Sequence, residues 1–195
     1  MKRYFIIYKP YLVLSQFTSQ LSKKTLADFY NVPKNVYPVG RLDEDSEGLL
    51  MLTNDAQLNQ RLLQPAAMHE REYLVQVDGL FTEEAAKQLS AGTTITVHGK
   101  SYNTNTCLVT VLSEEPALPL RNPPVRFRKN IPTSWISIVL TEGKNRQVRK
   151  MTAAVGFPTL RLVRCRIGNI TLGQLQPGDM IEMPRKMVYK KLFNE

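Results

Sequence analysis

The sequence predicts an α+β fold built on a mostly antiparallel sheet, and three observations carry that prediction. Strand-like segments outnumber helical ones along the 195 residues. Several of them adjoin with no helical crossover between, which disfavours an alternating α/β arrangement. The helical segments are short, and glycine or proline closes most of them.

Tyr4 to Tyr8 is aromatic and β-branched, ends at Lys9-Pro10, and is predicted as a strand. Ser15 to Ser22 is a polar loop, and Thr25 to Tyr30 a short helix closed by Pro33. Tyr37-Pro38-Val39 leads into an acidic loop, Gly40 to Gly48, followed by a buried strand, Leu49 to Thr53. Asn54 or Asp55 caps a helix from about Ala56 to Leu63, which Pro65 stops. Glu72 to Val77 alternates, with Tyr73, Val75 and Val77 on one side, as a half-buried strand does. Thr82 caps a helix that opens with Glu83 and Glu84 and stops at Gly92. Thr93 to Thr110 gives two strand-like pieces around a turn at Gly99-Lys100.

Ser113 to Pro132 holds five prolines and is predicted as a long loop. Trp135 to Leu140 is a strand of β-prone residues. After the turn Thr141 to Lys144, Asn145 opens a helix to Val155, with Gly156 as its stop. Thr159 to Ile167 is a strand, Leu172 to Leu175 a turn of helix, Met180 to Met183 a strand, and Arg185 to Phe193 a C-terminal helix. The chain is expected to form a single domain.

Charge is concentrated. Eleven basic residues lie between Arg121 and Arg166, namely Arg121, Arg126, Arg128, Lys129, Lys144, Arg146, Arg149, Lys150, Arg161, Arg164 and Arg166, against Glu142 alone. The rest of the chain nearly balances, so the net +9 comes from this one segment. Such asymmetry points to a polyanion, and the excess of arginine over lysine suits bidentate grip on phosphate. No apolar run reaches the roughly 20 residues of a membrane span. The N-terminal apolar run is too short for a secretory signal, so a cytoplasmic location is expected. Cys107, Cys165, His69 and His98 are scattered, which leaves zinc without a ligand set. The two cysteines are expected to be buried thiols.

The stretch Gly40-Arg41-Leu42-Asp43-Glu44-Asp45-Ser46-Glu47-Gly48-Leu49 is the chemical centre of the chain. A calcium loop fits poorly, because its twelfth position is Asn54 rather than a bidentate glutamate. A magnesium-dependent nuclease would use Asp43 and Asp45. A single reactive carboxylate, Asp43, would be kept ionised by a neighbouring arginine. The loop alone does not choose between the last two. A non-catalytic RNA-binding module is the reading from another class. Glu44, Asp45 and Glu47 are expected to solvate or cap the turn.

Four stretches in order resemble one family. Gly40-Arg41-Leu42-Asp43 with Ser46-x-Gly48-Leu49 is similar to the G/H-R-L-D-x-x-[ST]-x-G-L signature of pseudouridine synthases. Arg71-Glu72-Tyr73-Leu74-Val75-Gln76-Val77-Asp78-Gly79 resembles their K-x-Y-x-V-x-V-x-G strand, with arginine for lysine at the first position. Glu142-Gly143-Lys144-Asn145-Arg146-Gln147-Val148-Arg149-Lys150-Met151 and Leu160-Arg161-Leu162-Val163-Arg164 with Ile167-Gly168 resemble the two later motifs. Tyr8-Lys9-Pro10 resembles the opening N-K-P, with tyrosine for asparagine. The match is to the RsuA/RluB/RluE/RluF branch.

The resemblance implies the pseudouridine synthase catalytic fold: a mixed, mostly antiparallel sheet in two lobes flanked by helices, with the active-site cleft between them. Members commonly carry an S4-type RNA-binding domain before the N-K-P strand, and none is expected here. The implied reaction turns a uridine of 23S rRNA, or of a large-subunit precursor, into its C-glycoside isomer. It implies no cofactor, no metal and no membrane, and a monomer is expected. Asp43 is the implied catalytic residue, Tyr73 stacks on the base, Arg149 pairs with the aspartate, Leu162 lines the pocket, and Arg41 fills the space the base leaves. The basic residues from Arg121 to Arg166 other than Arg149 are the expected RNA contacts.

Overall fold

Two strands without a polar face form the spine of the first compact unit. β1 (Tyr4–Lys9) and β5 (Glu47–Thr53) are buried at every position, so both of their faces are covered. They pair antiparallel, from Tyr4 opposite Thr53 to Lys9 opposite Gly48. The computed structural model describes residues 1–20, 22–64, 68–126 and 131–195. The chain divides into two units, Met1–His69 with Val163–Glu195, and Glu70–Leu162.

In the first unit β13 (Met180–Glu182) lies antiparallel on the outer side of β1. The distal part of β11 (Thr159–Ile167) runs parallel to β5, with Val163 opposite Glu47 and Arg164 opposite Gly48. Four two-residue strands remain, two on the main sheet and two as a separate pair. β4 (Tyr37–Pro38) pairs with β5, β12 (Ile170–Thr171) with β11, and β2 (Val13–Leu14) with β3 (Lys24–Thr25). The helix predicted over 25–30 is a single 3₁₀ turn, Leu26–Asp28. Asp28 accepts from the Thr25 backbone at 2.7 Å and caps the start, while Phe29 leaves the helical region at φ −122° and ends the turn.

α1 (Ala56–Leu63) starts at Asp55, whose Oδ1 accepts from the Gln57 backbone at 3.2 Å. The same carboxylate accepts from the Tyr4 and Tyr189 hydroxyls at 2.7 and 2.8 Å and from Lys2 at 2.8 Å. One buried cap thus ties β1, α1 and α4 (Arg185–Phe193) together. Pro65, the predicted helix stop, lies outside the described residues.

The second unit is an antiparallel sheet of β6 (Arg71–Asp78), β10 (Thr133–Leu140) and β9 (Leu108–Leu112), with β10 in the middle. Tyr73, Val75 and Val77 form the buried side of β6, as their alternation predicts. β7 (Thr94–Val97) and β8 (Lys100–Asn103) form a hairpin. Its turn is His98-Gly99, one residue earlier than predicted, and both residues have positive φ, +48° and +76°. That pair of conformations fits the tight two-residue loop whose twist matches the strands. β9 is the third strand in a stretch predicted to hold two.

α2 (Glu83–Ser90) is capped by Thr82, whose hydroxyl accepts from Ala85 at 3.1 Å. α3 spans Gln147–Ala154, not 145–155. Arg146 is left-handed at φ +52°, so the helix cannot begin before it. Leu172 to Leu175 is a turn rather than a helix, closed by Leu175 donating to the Leu172 carbonyl at 3.2 Å. Cys107 and Cys165 are half-buried rather than buried, and neither is in a disulfide. Burial pushes the Cys107 thiol up to about 11. No helix among the described residues is long and apolar enough to cross a membrane. The α+β class is as the sequence predicts.

Candidate active site

The acidic loop is held by its backbone, which leaves its side chains to face outward or inward as the chain dictates. Gly40 turns the chain at φ +69°. Arg41 is exposed, and Leu42 is buried. The Ser15 hydroxyl donates to the Leu42 carbonyl at 2.6 Å and accepts from the Leu42 N–H at 3.0 Å. Ser46 N–H donates to the Asp43 carbonyl at 3.1 Å, which closes a turn over Asp43 to Ser46. Asp43 therefore sits between a locked residue and a closed turn, half-buried. Glu47, expected to be solvated, is 1% exposed. It is the first residue of β5, a strand covered on both faces.

Lys9, from the end of β1, braces this loop, and sequence reasoning overlooked it. It ends β1 with 0% exposure. Its Nζ donates to the carbonyls of Val13 at 2.7 Å, Pro10 at 2.9 Å and Glu44 at 3.4 Å. The Glu44 carbonyl also accepts from Leu12 N–H at 2.9 Å, and the Glu44 carboxylate pairs with Lys23 at 2.7 Å. Burial lowers the Lys9 pKa to about 7, against the pull of the Glu47, Asp45, Asp43 and Glu44 carboxylates. The available signal was a lysine closing a wholly apolar strand just before a proline.

β11 backs the loop. Arg164, expected to contact RNA, is 5% exposed, and its Nε donates to the Leu49 carbonyl at 2.8 Å. Arg161, in the second unit, is 6% exposed and donates to the Pro119 carbonyl at 2.8 Å. The structure thus takes these two guanidinium groups off the surface. Arg166 is half-buried and donates to the Gly168 carbonyl at 2.8 Å.

In the second unit Tyr73 is the third residue of β6, opposite Ile138, with 9% exposure. Leu162 is 5% exposed. Arg149 projects from α3, half-buried, and its Nη1 donates to the Thr159 carbonyl at 3.4 Å. The loop before α3 is organised by Glu142. Its carboxylate accepts from the Tyr102 hydroxyl at 2.5 Å, Gln147 Nε2 at 2.6 Å and Asn105 N–H at 2.9 Å. Gln147 in turn accepts from Lys144 N–H at 2.8 Å. This web fixes where α3 starts, and with it the turn from which Arg149 projects.

Among the remaining predicted RNA contacts, Arg126, Lys144 and Arg146 are exposed, and Arg121 and Lys150 half-buried. Arg121 donates to the Pro123 and Pro124 carbonyls at 2.9 and 3.0 Å, and Lys150 to the Asn145 carbonyl at 2.8 Å. Lys144 lies 4.7 Å over the Tyr102 ring. Arg128 and Lys129 lie outside the described residues. Among the described residues no group of three or more His, Cys, Asp or Glu side chains converges as a metal-ligand set.

The model of the RNA pseudouridylate synthase family matches residues 3–154. This chain belongs to that family. Its reaction class is accordingly the isomerisation of uridine to pseudouridine in RNA. Ribosomal large subunit pseudouridine synthase E of Vibrio parahaemolyticus is 51% identical over 182 residues, 93% of this chain and 74% of that protein. The protein of the same name from Xanthomonas axonopodis is 48% identical over 88% of this chain and 89% of its own length. The dual-specificity RNA pseudouridine synthase RluF of Escherichia coli is 36% identical over 88% of this chain and 51% of its own length. A crystal structure of a pseudouridylate synthase shares the fold, with a TM-score of 0.79 at 24% identity, over 98% of this chain and 74% of that one.

Proposed function

We propose that this chain isomerises one specific uridine of 23S rRNA, free or in a large-subunit precursor, with Asp43 as the essential carboxylate. The reading rests chiefly on the identity of about half over some nine-tenths of the chain to enzymes named for the large ribosomal subunit. The backbone locks on either side of Asp43 support it, since a reactive group works best when held still. The 195 residues act as one catalytic domain, as a monomer in the cytoplasm.

A stacked uracil hides the ring faces and the glycosidic bond, so the target nucleotide must first turn out of its stack. Unstacking costs a few kcal/mol, and an aromatic face returns about 1–3 kcal/mol per base. In this proposal Tyr73 supplies that face and Arg41 occupies the space left in the RNA. Asp43 drives breakage of the N-glycosidic bond, the uracil rotates, C5 bonds to C1′ and then loses its proton, and N1, freed from C1′, ends protonated. Leu162 keeps water from the detached base. Arg149 supplies the positive charge that partners the Asp43 carboxylate. Arg121, Arg126, Lys144, Arg146 and Lys150 contact phosphates.

The test is Asp43→Asn assayed on deproteinised 23S rRNA from cells lacking this protein, with pseudouridine mapped by carbodiimide modification and primer extension. The expected result is one new site with the wild type and none with Asp43→Asn, while both bind the RNA. Product from Asp43→Asn at the wild-type rate would remove the aspartate from the reaction.

A further inference from the structure

A pocket of about 400 Å³ opens on the first unit at the stem of the acidic loop, lined in part by Phe17, Tyr30, Asn31, Val32, Lys34 and Tyr37. Its lining contains three aromatic rings, one amide and one ammonium, and no acid. Tyr37 is 63% exposed, an unusual position for a tyrosine on a strand. Its backbone is rigid, because β4 pairs Tyr37 with Thr53 and the Val39 N–H donates to Met51 at 2.8 Å. The floor is fixed as well: Tyr30 is 3% exposed and its hydroxyl donates to the Tyr8 carbonyl at 2.5 Å. Lys34 and Asn31 are exposed, and among the described residues neither side chain makes a hydrogen bond or ion pair.

We propose that this pocket is a second RNA subsite, which holds one unpaired base of the strand that carries the target uridine. Aromatic faces accept any base by stacking, an amide reads a base edge, and a lysine neutralises the adjoining phosphate. The volume lies in the range of sites that enclose one small ligand. Tyr37 is six residues before Asp43, at most about 22 Å along a fully extended chain. At about 3.4 Å per stacked nucleotide, a base in the pocket is within about six nucleotides of one at Asp43. The β4-to-loop connection thus limits the distance in the strand. A protein partner fits less well, since lysine is depleted at the centres of protein interfaces. The subsite rests on the proposed action at Asp43 only for its place along the strand.

The test has two arms on the full chain. In the first, Tyr37→Ala, Tyr37→Trp and Lys34→Gln are assayed for kcat/KM on deproteinised 23S rRNA from cells lacking this protein. Tyr37→Ala is expected to lose about 5- to 150-fold, the equivalent of one aromatic–base stack. Tyr37→Trp is expected to restore most of it, which a merely structural tyrosine would not allow. Lys34→Gln is expected to reduce the slope of log affinity against log salt by about 0.7–0.9. In the second arm, the same rRNA transcribed with 5-iodouridine is irradiated on the enzyme, and the crosslinked peptide is expected to contain Tyr37 or Phe17. Crosslinking is scored on Asp43→Asn as well, so that loss of catalysis and loss of the subsite are separate results. Wild-type kcat/KM and salt slope in all three variants, with no crosslink at Tyr37 or Phe17, would overturn the subsite. So would variants that fail only on ribosomal particles and not on naked rRNA, which would assign the pocket to a protein.

Discussion

Gly48 and Arg164 face each other across the parallel pairing of β5 and β11 so closely that a Cβ on Gly48 would lie 2.3 Å from the Arg164 carbonyl oxygen. Gly48 also has φ +105°, a conformation that L side chains rarely adopt. Both facts follow from one need, which is to bring the start of β5 against the backbone of β11 directly after the acidic loop. Gly48→Ala should therefore cost about 2–5 kcal/mol, from backbone strain plus a clash with backbone that cannot yield. Gly143→Ala is the control, because its added Cβ meets nothing within 4 Å. Urea melts of the two variants check this, and equal stability losses would refute the steric account.

Lys9→Met removes the buried ammonium and keeps the length of the stem. The Val13, Pro10 and Glu44 carbonyls lose their shared donor, so the turn beside Asp43 should loosen and turnover should fall at least tenfold while the fold persists. Stability adds a second readout. Burial lowers the Lys9 pKa to about 7, and an unfolded lysine titrates near 10.4. Between those values the unfolded chain holds a proton that the folded chain has largely released, so raising the pH favours the folded state. The stability of the wild type relative to Lys9→Met should rise across that window and stay flat below it. Parallel pH profiles for the two proteins would show that Lys9 is not desolvated.

These two residues show what the sequence could and could not convey. Gly48 was legible as part of a motif, but its contact with Arg164 joins positions 116 residues apart and has no local signature. Segments with strong local signals came through almost unchanged. α1 is bounded by its Asp55 cap, β11 by Pro158 before it and Gly168 after it, and α4 by Pro184 and Asn194. β2, β3 and β12 are two residues long, too short to show any period. α3 starts late because Glu142 grips Gln147 and forces Arg146 into a left-handed turn, a tertiary effect that overrides helical spacing. Arg161 and Arg164, expected on the surface, and Lys9, given no role by the sequence, are buried for a common reason: charge predicts a surface position unless backbone carbonyls are waiting inside, and carbonyls leave no trace in a side-chain pattern.

Asp55 should make the first unit sensitive to acid. Burial pushes its pKa up, but the hydrogen bonds from Lys2, Tyr4 and Tyr189 outweigh that and hold it well below the usual carboxylate range. A carboxylate with a depressed folded pKa adds stability above its unfolded value, near 3.9, and loses it as the pH falls further. Asp55→Asn keeps an acceptor for the helix cap and removes the charge. It should lower stability at pH 7 by about 1–3 kcal/mol, the range for charge-assisted hydrogen bonds. The difference from wild type should shrink as the pH drops below about 4. Denaturant melts at several pH values check it, and a difference that does not change with pH would mean that the carboxylate is not the source.

The basic segment separates into two physical classes, and salt can tell them apart. Arg126, Lys144 and Arg146 are exposed and able to meet phosphate, whereas Arg161 is buried with its guanidinium on the Pro119 carbonyl. Each phosphate neutralised releases condensed counterions, so log affinity for rRNA falls with log salt by about 0.7 to 0.9 per contact. Replacing Arg126 or Lys144 with glutamine should therefore lower that slope by about one contact and leave the melting curve within about 0.5 kcal/mol of wild type. Arg161→Met should do the reverse. It leaves the Pro119 carbonyl without its donor, which costs about 1–3 kcal/mol of stability, and it changes no phosphate contact. Filter binding at a series of salt concentrations and urea melts on the same proteins give both quantities. If Arg161→Met flattened the salt slope while Arg126→Gln and Lys144→Gln did not, RNA would have to approach the buried arginine, and burial would be the wrong guide to which cations hold the strand.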